Sequence, residues 1–190
     1  MRQSREEKAK THERILEVAS ERIREQGLDG PGVAEIMQAA GLTHGGFYKH
    51  FGSRDELIAE ATENALADSD RHLHELTDQA QGSLAAFVDW YLSAEHRDDP
   101  GTGCSVAALG DGVRRGDERM RTAYRQQLQR YVEHAEHLLG GGEDARRRAI
   151  LAVSALAGAI VLSRAVDDEA LSDEILSAVS KGINESISAA

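Results

Sequence analysis

Apolar residues recur at intervals of three and four along most of the chain, a spacing that places them on one face of an α-helix. Glycine clusters at residues 27–32, 101–103 and 140–142 interrupt this pattern, where helices are expected to end. Only two prolines and 4% aromatic residues accompany the pattern. We therefore predict an all-α protein of about nine helices, over approximately residues 11–26, 33–40, 43–51, 54–81, 84–92, 104–109, 117–138, 146–166 and 169–188.

The segment 33–51 is predicted to form two short helices joined by a tight turn. Gly41 can take the positive φ that ends the first helix, and Thr43 is a candidate N-cap for the second. Phe47 and Phe51 give the second helix a buried face. The residues of its other face are small or can form hydrogen bonds: His44, Gly45, Tyr48, Lys49 and His50. Such a helix pair meets the requirements for entering a DNA major groove.

The flanking segments suggest how the chain is divided. Residues 1–10 are polar and are expected to form a loosely ordered arm, and Arg24 is expected on the solvent side of the first helix. Ser53 to Glu56 has the form of a capping box that begins a long helix, which should run to about Gln81 and break at Gly82. We predict an N-terminal helix-turn-helix domain over residues 1–52 and a C-terminal domain over 53–190, with the helix 53–81 as the connector.

The C-terminal part contains further helices that differ in character. Residues 97–103 have the composition of a loop, and the helix that begins at Cys104 is expected to break at Gly110 and Gly112. The apolar run 149–163 is too short to span a bilayer, so we expect a helix that is buried on most sides. The last two helices carry more apolar surface than packing within a single chain requires. We therefore predict a homodimer through helices at about 146–166 and 169–188.

The charge balance limits the kind of nucleic-acid binding that is possible. The net charge of −11 argues against a protein that coats nucleic acid without specificity. The first 60 residues carry 9 basic and 11 acidic side chains, so any charge that faces DNA must be local. A single cysteine excludes an intrachain disulfide, and no signal peptide is visible. We expect a cytoplasmic protein.

Over about residues 10–60 the chain resembles the tetracycline-repressor (TetR) family of one-component transcriptional regulators. The resemblance rests on Ala40-Gly-Leu-Thr43, on Phe47-Tyr-Lys-His-Phe51, and on Ser53-Arg-Asp-Glu-Leu57 at the correct distances. The C-terminal part is similar only in layout. The resemblance implies a dimeric repressor that binds a pseudo-palindromic operator and is released by a small-molecule effector, for which an electrophile is one candidate.

The resemblance also implies which residues contact DNA. The base-reading positions of the family correspond to Thr43, His44 and Gly45. The phosphate-contacting positions correspond to Val33, Tyr48, Lys49, His50 and Arg54. The chain departs from the family at residues 30–33, where Gly-Pro-Gly-Val replaces the usual Ser or Thr cap. The alternative is a dimeric helical small-molecule-binding protein without DNA binding, in which these side chains are only solvated.

Family membership implies an effector pocket in the C-terminal domain. Candidate lining residues are Phe87, Trp90, Tyr91, Cys104, Met120, Tyr124, Tyr131 and His134. They suit a hydrophobic or planar ligand, although each could instead be part of an ordinary core. Cys104 lies at a predicted helix N-terminus, where a reactive thiolate is favoured, and its surroundings resemble those of family members that sense electrophiles. The alternative is a small buried residue that packs the start of a helix.

Other kinds of site are not supported by the sequence. His134 and His137 share a helix face, but no third ligand follows at a suitable spacing, so we interpret them as exposed histidines without a metal. No nucleophile triad can be assembled, and Gly140–Gly142 lacks the Lys-Ser/Thr of a phosphate-binding loop. We predict neither an enzyme nor a resident cofactor.

Overall fold

The computed structural model describes residues 5–79, 83–142 and 144–188, and all regular structure in these ranges is helical. The helices are α1 Arg5–Gln26, α2 Val33–Ala39, a 3₁₀ helix His44–Lys49, α3 Arg54–Gln79, α4 Leu84–Tyr91, α5 Ala94–Asp98, α6 Ser105–Arg115, α7 Glu118–Leu138, α8 Ala145–Ala165 and α9 Glu169–Ser188. The predicted all-α class is confirmed. One more helix is present than predicted, because the expected loop at 97–103 is preceded and partly occupied by α5. The predicted helix end at Gln81 and the break at Gly82 lie outside the described residues.

The N-terminal core joins α1, α2, the 3₁₀ helix and the first half of α3. Ile15, Ile36, Phe47 and Leu57 are among its fully buried members. The same core includes Leu109 and Val113 of α6. The helix-turn-helix region therefore packs directly against the C-terminal part of the chain.

Two predictions about α1 were wrong. Residues 5–10 of the expected arm are helical, since Glu6 and Glu7 lie in the first turn, where the helix dipole favours negative charge; residues 1–4 of that arm lie outside the described part of the chain. Glu6 also pairs with Lys10 across one turn, at 2.7 Å. Arg24, expected on the solvent side, is buried with 6% of its surface exposed. The loop before α6 covers it.

The predicted break of α6 at Gly110 and Gly112 was also wrong, because the helix continues to Arg115. The glycines allow other elements to approach this helix closely. A Cβ atom at Gly110 would lie 2.9 Å from the hydroxyl oxygen of Tyr124, and one at Gly112 would lie 2.9 Å from Cγ of Leu28. These glycines therefore serve packing and do not end the helix.

Helix α8 has the predicted length but is more exposed than predicted. It has 21 residues, so by length and composition alone it could cross a membrane, as could the core helix of many soluble proteins. The expectation that it is buried on most sides does not hold for the single chain. Four large apolar side chains on it are 46–58% exposed: Ile150, Leu151, Val161 and Leu162.

Candidate nucleic-acid interface and internal cavity

The turn between α2 and the 3₁₀ helix is closed by short backbone hydrogen bonds. Gly41 has φ of +71°, and its N–H donates to the carbonyl of Gln38 at 2.9 Å. The N–H of Leu42 donates to the carbonyl of Met37 at 2.8 Å. This arrangement confirms the predicted glycine-ended turn and fixes the 3₁₀ helix relative to α2.

The second helix of the motif differs from the prediction in two ways. It is a 3₁₀ helix of six residues, and the hydroxyl of Thr43 makes no capping hydrogen bond. The carbonyl of Thr43 instead accepts from the N–H of Gly46 at 2.9 Å. The adjacent Gly45 and Gly46 give the segment low helix propensity, which explains why the longer α-helical form is not reached.

The 3₁₀ helix has one buried and one open face. Phe47 and Phe51 are each 2% exposed, and their rings lie 5.7 Å apart between centroids. On the other face Thr43, His44, Gly45, Tyr48 and Lys49 are exposed. A Cβ atom at Gly45 would meet no protein atom within 4 Å. Five of the predicted DNA-contact residues therefore share one open surface, which we call the reading face.

The other three predicted DNA contacts lie in different environments. His50 is half-buried, and burial lowers the pKa of its imidazole, as do the nearby His12, Lys8 and Lys49 in that order. Val33 is the first residue of α2, and Gly32 before it offers no side-chain cap.

Arg54 is already engaged within the protein. Its Nη2 donates to the carbonyls of Leu28 at 2.9 Å and Pro31 at 3.1 Å, and its Nε donates to Pro31 at 3.3 Å. Arg54 therefore holds the loop that precedes α2. Glu56, predicted to complete the capping box, accepts from the N–H of Gly52 at 2.6 Å, while the N–H of Glu56 donates to Ser53 Oγ at 3.1 Å.

The C-terminal helices enclose a cavity of about 70 Å³ between α3, α4, α6, α7 and α8. Six of the eight predicted lining residues surround it: Phe87, Trp90, Tyr91, Cys104, Tyr131 and His134. Among the described residues that line it, none is Asp, Glu, Lys or Arg. The cavity is therefore largely apolar and aromatic, with a few polar groups.

Met120 and Tyr124 do not line this cavity. Met120 packs against the N-terminal core, and its sulfur lies 3.7 Å from the hydroxyl oxygen of Thr62. The hydroxyl of Tyr124 donates to the carbonyl of Val106 at 2.8 Å. Both residues have the helical spacing of the lining set, but they lie nearer the start of α7, where the helix faces α3 and α6.

His96 forms part of the cavity wall and was missed by the sequence reasoning. It is 6% exposed, and its ring stacks on Trp90 at 5.1 Å between centroids. Nδ1 donates to the carbonyl of Tyr91 at 2.6 Å, while Nε2 accepts from the N–H of Cys104 at 3.2 Å. Burial lowers the pKa of His96 from 6.5 to about 4, so the ring is neutral near pH 7. The only local signal in the sequence was Ser93, which caps α5 by accepting from the N–H of His96.

The phenols in the cavity are also neutral. Burial raises the pKa of Tyr91 and of Tyr131 well above 10, and Cys104 close to both hydroxyls adds to the effect. The thiol of Cys104 is buried, with 8% of the residue exposed. The cavity therefore offers phenolic hydroxyl groups as hydrogen-bond donors.

A buried polar network connects the cavity to the N-terminal core. Ser69, which lines the cavity, donates through Oγ to Ser105 Oγ at 2.7 Å. Arg24 of α1 donates through Nη1 to the same Ser105 oxygen at 3.4 Å and through Nε to the carbonyl of Gly101. Its guanidinium also lies 3.6 Å from Asp68. A movement of α3 or α6 at the cavity wall would therefore be transmitted to α1 through these hydrogen bonds.

The structure thus combines an open surface on a helix-turn-helix with a separate internal cavity in the C-terminal part of the chain. The family model "Bacterial regulatory proteins, tetR family" matches residues 15–61. An uncharacterized HTH-type transcriptional regulator of Mycobacterium tuberculosis is 29% identical over 167 residues, which cover 80% of this chain and 83% of that protein. The uncharacterized HTH-type transcriptional regulator YvdT of Bacillus subtilis is 38% identical over 80 residues, which cover 42% of this chain and 38% of that one.

Solved structures share the fold across nearly the whole chain. The reduced form of NemR from Escherichia coli has a TM-score of 0.75 at 20% identity and covers 93% of this chain and 96% of its own. A TetR-family transcriptional regulator from Cytophaga hutchinsonii has a TM-score of 0.76 at 18% identity and covers 94% and 95%. The chain thus matches the tetR family model over residues 15–61, and over nearly its whole length it has the fold of solved TetR-family regulators.

Proposed function

We propose that this protein is a ligand-responsive repressor that binds a pseudo-palindromic operator as a homodimer. The observation that carries the proposal is the reading face, which is open, contains no acidic side chain and stands on a core of buried aromatic rings. Thr43, His44 and Gly45 would read base edges in the major groove, while Tyr48 and Lys49 would bind phosphates. Residues 1–52 form the DNA-binding domain and residues 53–190 the sensing domain in this proposal.

Binding sites selected from a random pool of duplexes test the DNA-binding part. The full-length protein should enrich a pseudo-palindrome with two half-sites in successive major grooves. Lys49→Ala should weaken binding to all sequences and reduce the salt dependence, because it removes a phosphate contact. Gly45→Leu meets no protein atom that would resist it, so it should fold normally but lose at least about tenfold in operator affinity.

A lysine remote from the reading face provides the matched control. Lys181 of α9 is 77% exposed and lies 3.9 Å from Glu185, so Lys181→Ala should leave operator affinity unchanged. If the wild-type protein enriches no sequence, it is instead a helical ligand-binding protein without DNA binding. If Lys49→Ala binds as the wild type does, the reading face is assigned incorrectly.

The dimer is proposed to form through α8 and α9. The exposed apolar side chains of α8, together with Leu171 of α9 at 44% exposure, form a surface that a second copy would remove from water. A four-helix interface of two α8 and two α9 helices would cover them. It would also hold two reading faces at one fixed distance, as a palindromic site requires.

The effector is proposed to be a neutral, apolar or planar molecule. The described lining contains no Asp, Glu, Lys or Arg, so a charged ligand would lose its hydration without finding a partner of these types there. A thermal-shift screen should therefore be dominated by uncharged aromatic or aliphatic compounds. A screen dominated by small polar acids would contradict this assignment.

An effector that reacts with Cys104 is the alternative form of this proposal. The position of Cys104 in the cavity wall favours it, since an electrophile that enters the cavity meets the thiol. The competing structural role is that Cys104 packs the start of α6. Release of DNA by electrophiles in the wild type but not in Cys104→Ser would establish the reactive role, and an unchanged response would establish the structural one.

Effector binding would release DNA by moving the cavity walls. An effector too large for the present volume of about 70 Å³ would displace the surrounding helices when it enters. Displacement of α3 would act on the 3₁₀ helix directly through their shared core, and on α1 through Arg24. The effector needs a higher affinity for the displaced arrangement than for the DNA-bound one.

A further inference from the structure

The first turns of α1 lie beside the C-terminal end of the 3₁₀ helix. His12 joins the two elements, because its ring stacks on Phe51 at 4.5 Å and lies 6.1 Å from the ring of His50. His12 Nε2 also lies 3.0 Å from Glu60 Oε2 of α3, which fixes the imidazole in this position. The start of α1 is therefore held next to Lys49 and His50.

One face of this part of α1 is cationic. Lys8 precedes His12 by one helical turn, and Arg5 precedes Lys8 by three residues, so the three side chains lie on the same side of the helix. Arg5 and Lys8 are exposed. Glu6 and Lys10 lie on the opposite side, where they pair with each other at 2.7 Å. We call the side with Arg5, Lys8 and His12 the basic face of α1.

The basic face lies close enough to the 3₁₀ helix for its charge to act on His50. The charge of Lys8 contributes to the lowered pKa of His50, after burial and His12 and ahead of Lys49. Lys8 is thus close to His50, the residue that follows Lys49. The acidic side chain that contacts this cluster is Glu60, and it is bound to His12.

We propose that the basic face of α1 is a second contact with the DNA backbone, which binds phosphates next to those bound by Lys49. This inference rests on the proposed DNA binding. It also explains how a region with slightly more acidic than basic residues can approach DNA, since Arg5 and Lys8 face the duplex while Glu6 points to the opposite side of α1. Backbone contacts of this kind add affinity and fix orientation but carry no sequence information.

The substitution Lys8→Gln tests the contact, with Lys10→Gln as its matched control on the same helix. Fluorescence anisotropy would follow binding of the full-length proteins to a short duplex selected by the wild type, at salt concentrations from about 50 to 200 mM. Each lost phosphate contact makes the negative slope of log affinity against log salt shallower by about 0.9. A dimeric Lys8→Gln protein loses two such contacts, so its slope should be shallower than that of the wild type by about 1.8. The ratio of the wild-type affinity to the Lys8→Gln affinity should then fall about twelvefold across that salt range. Lys10→Gln should keep the wild-type slope.

Three results would overturn the inference, and they are distinguishable. If the two variants have equal slopes and the wild type still binds its operator, the second contact is refuted but the proposed DNA binding is not. A changed sequence preference in Lys8→Gln would show that Lys8 reads bases and not the backbone. A wild-type protein that selects no duplex would overturn the proposed function and this contact together. Equal melting temperatures of the two variants confirm that neither slope reflects unfolding.

Discussion

Protonation of His96 should destabilise the folded protein between about pH 6.5 and pH 4. In the folded state both ring nitrogens are already used, Nδ1 as a donor and Nε2 as an acceptor, so a second proton would break the bond from the N–H of Cys104. The folded pKa of about 4 lies below the unfolded value of 6.5. A basic group with a lowered folded pKa binds its proton more readily when unfolded. Its contribution to stability is therefore present above pH 6.5 and is lost as the pH falls towards 4.

The size of the effect follows from these two pKa values. A difference of about 2.5 units limits the total to about 3 kcal/mol, and at pH 5.0 about 2 kcal/mol of it should be lost relative to pH 7.5. No reduction for solvent screening is needed, because His96 is 6% exposed. The change would occur largely above the pH range in which carboxylates titrate.

Urea unfolding at pH 7.5 and pH 5.0, at one protein concentration, would measure this loss. The variant His96→Asn should be less stable at pH 7.5 but should lose about 2 kcal/mol less than the wild type on acidification. The exposed His137 of α7 provides the control, and His137→Asn should retain the full pH dependence. If all three proteins lose equal stability between the two pH values, His96 is not the group responsible and its neutral state has been assigned incorrectly.

Two further predictions concern the connection between domains and the dimer. Arg24→Met should lower the free energy of unfolding by about 2–3 kcal/mol and the melting temperature by about 4–12 °C, because the carbonyl of Gly101 loses a charged donor. Arg22→Met, at a side chain that is 36% exposed and pairs with Glu25, should cost less than about 1 kcal/mol, and equal losses would contradict the role of Arg24. Leu151→Asp should produce monomers in sedimentation analysis, whereas Leu128→Asp on α7 should not; a dimeric Leu151→Asp protein would exclude α8 as the interface.

The internal environment of single residues was harder to predict than the elements. Arg24 has the spacing of a solvent-facing residue, yet the Gly101 loop and Ser105 cover it from parts of the chain about 80 positions away. His96 lies next to a segment with loop composition, and nothing near it in sequence indicates Trp90 stacked on its ring. Such burial depends on which elements meet, and helical periodicity describes only one element at a time.

The role of a glycine in a helical pattern was also difficult to predict from the sequence. At Gly41 the local rule is sufficient, because a positive φ is a property of the backbone at that residue. At Gly110 and Gly112 the same rule predicts a helix end, but the missing side chains make room for Tyr124 and Leu28. Local chemistry cannot distinguish these two uses of glycine.

The sequence by itself determined the all-α class, the helix-turn-helix with its buried Phe47 and Phe51, and the residues that form the reading face. These features depend on spacing within about 20 residues, where helical geometry fixes which side chains share a face. Only the tertiary structure decided that the first turns of α1 lie beside His50, that the described cavity lining lacks Asp, Glu, Lys and Arg, and that Arg24 links this cavity to α1. Each of these depends on contacts between distant segments, whose geometry is set by how the helices pack.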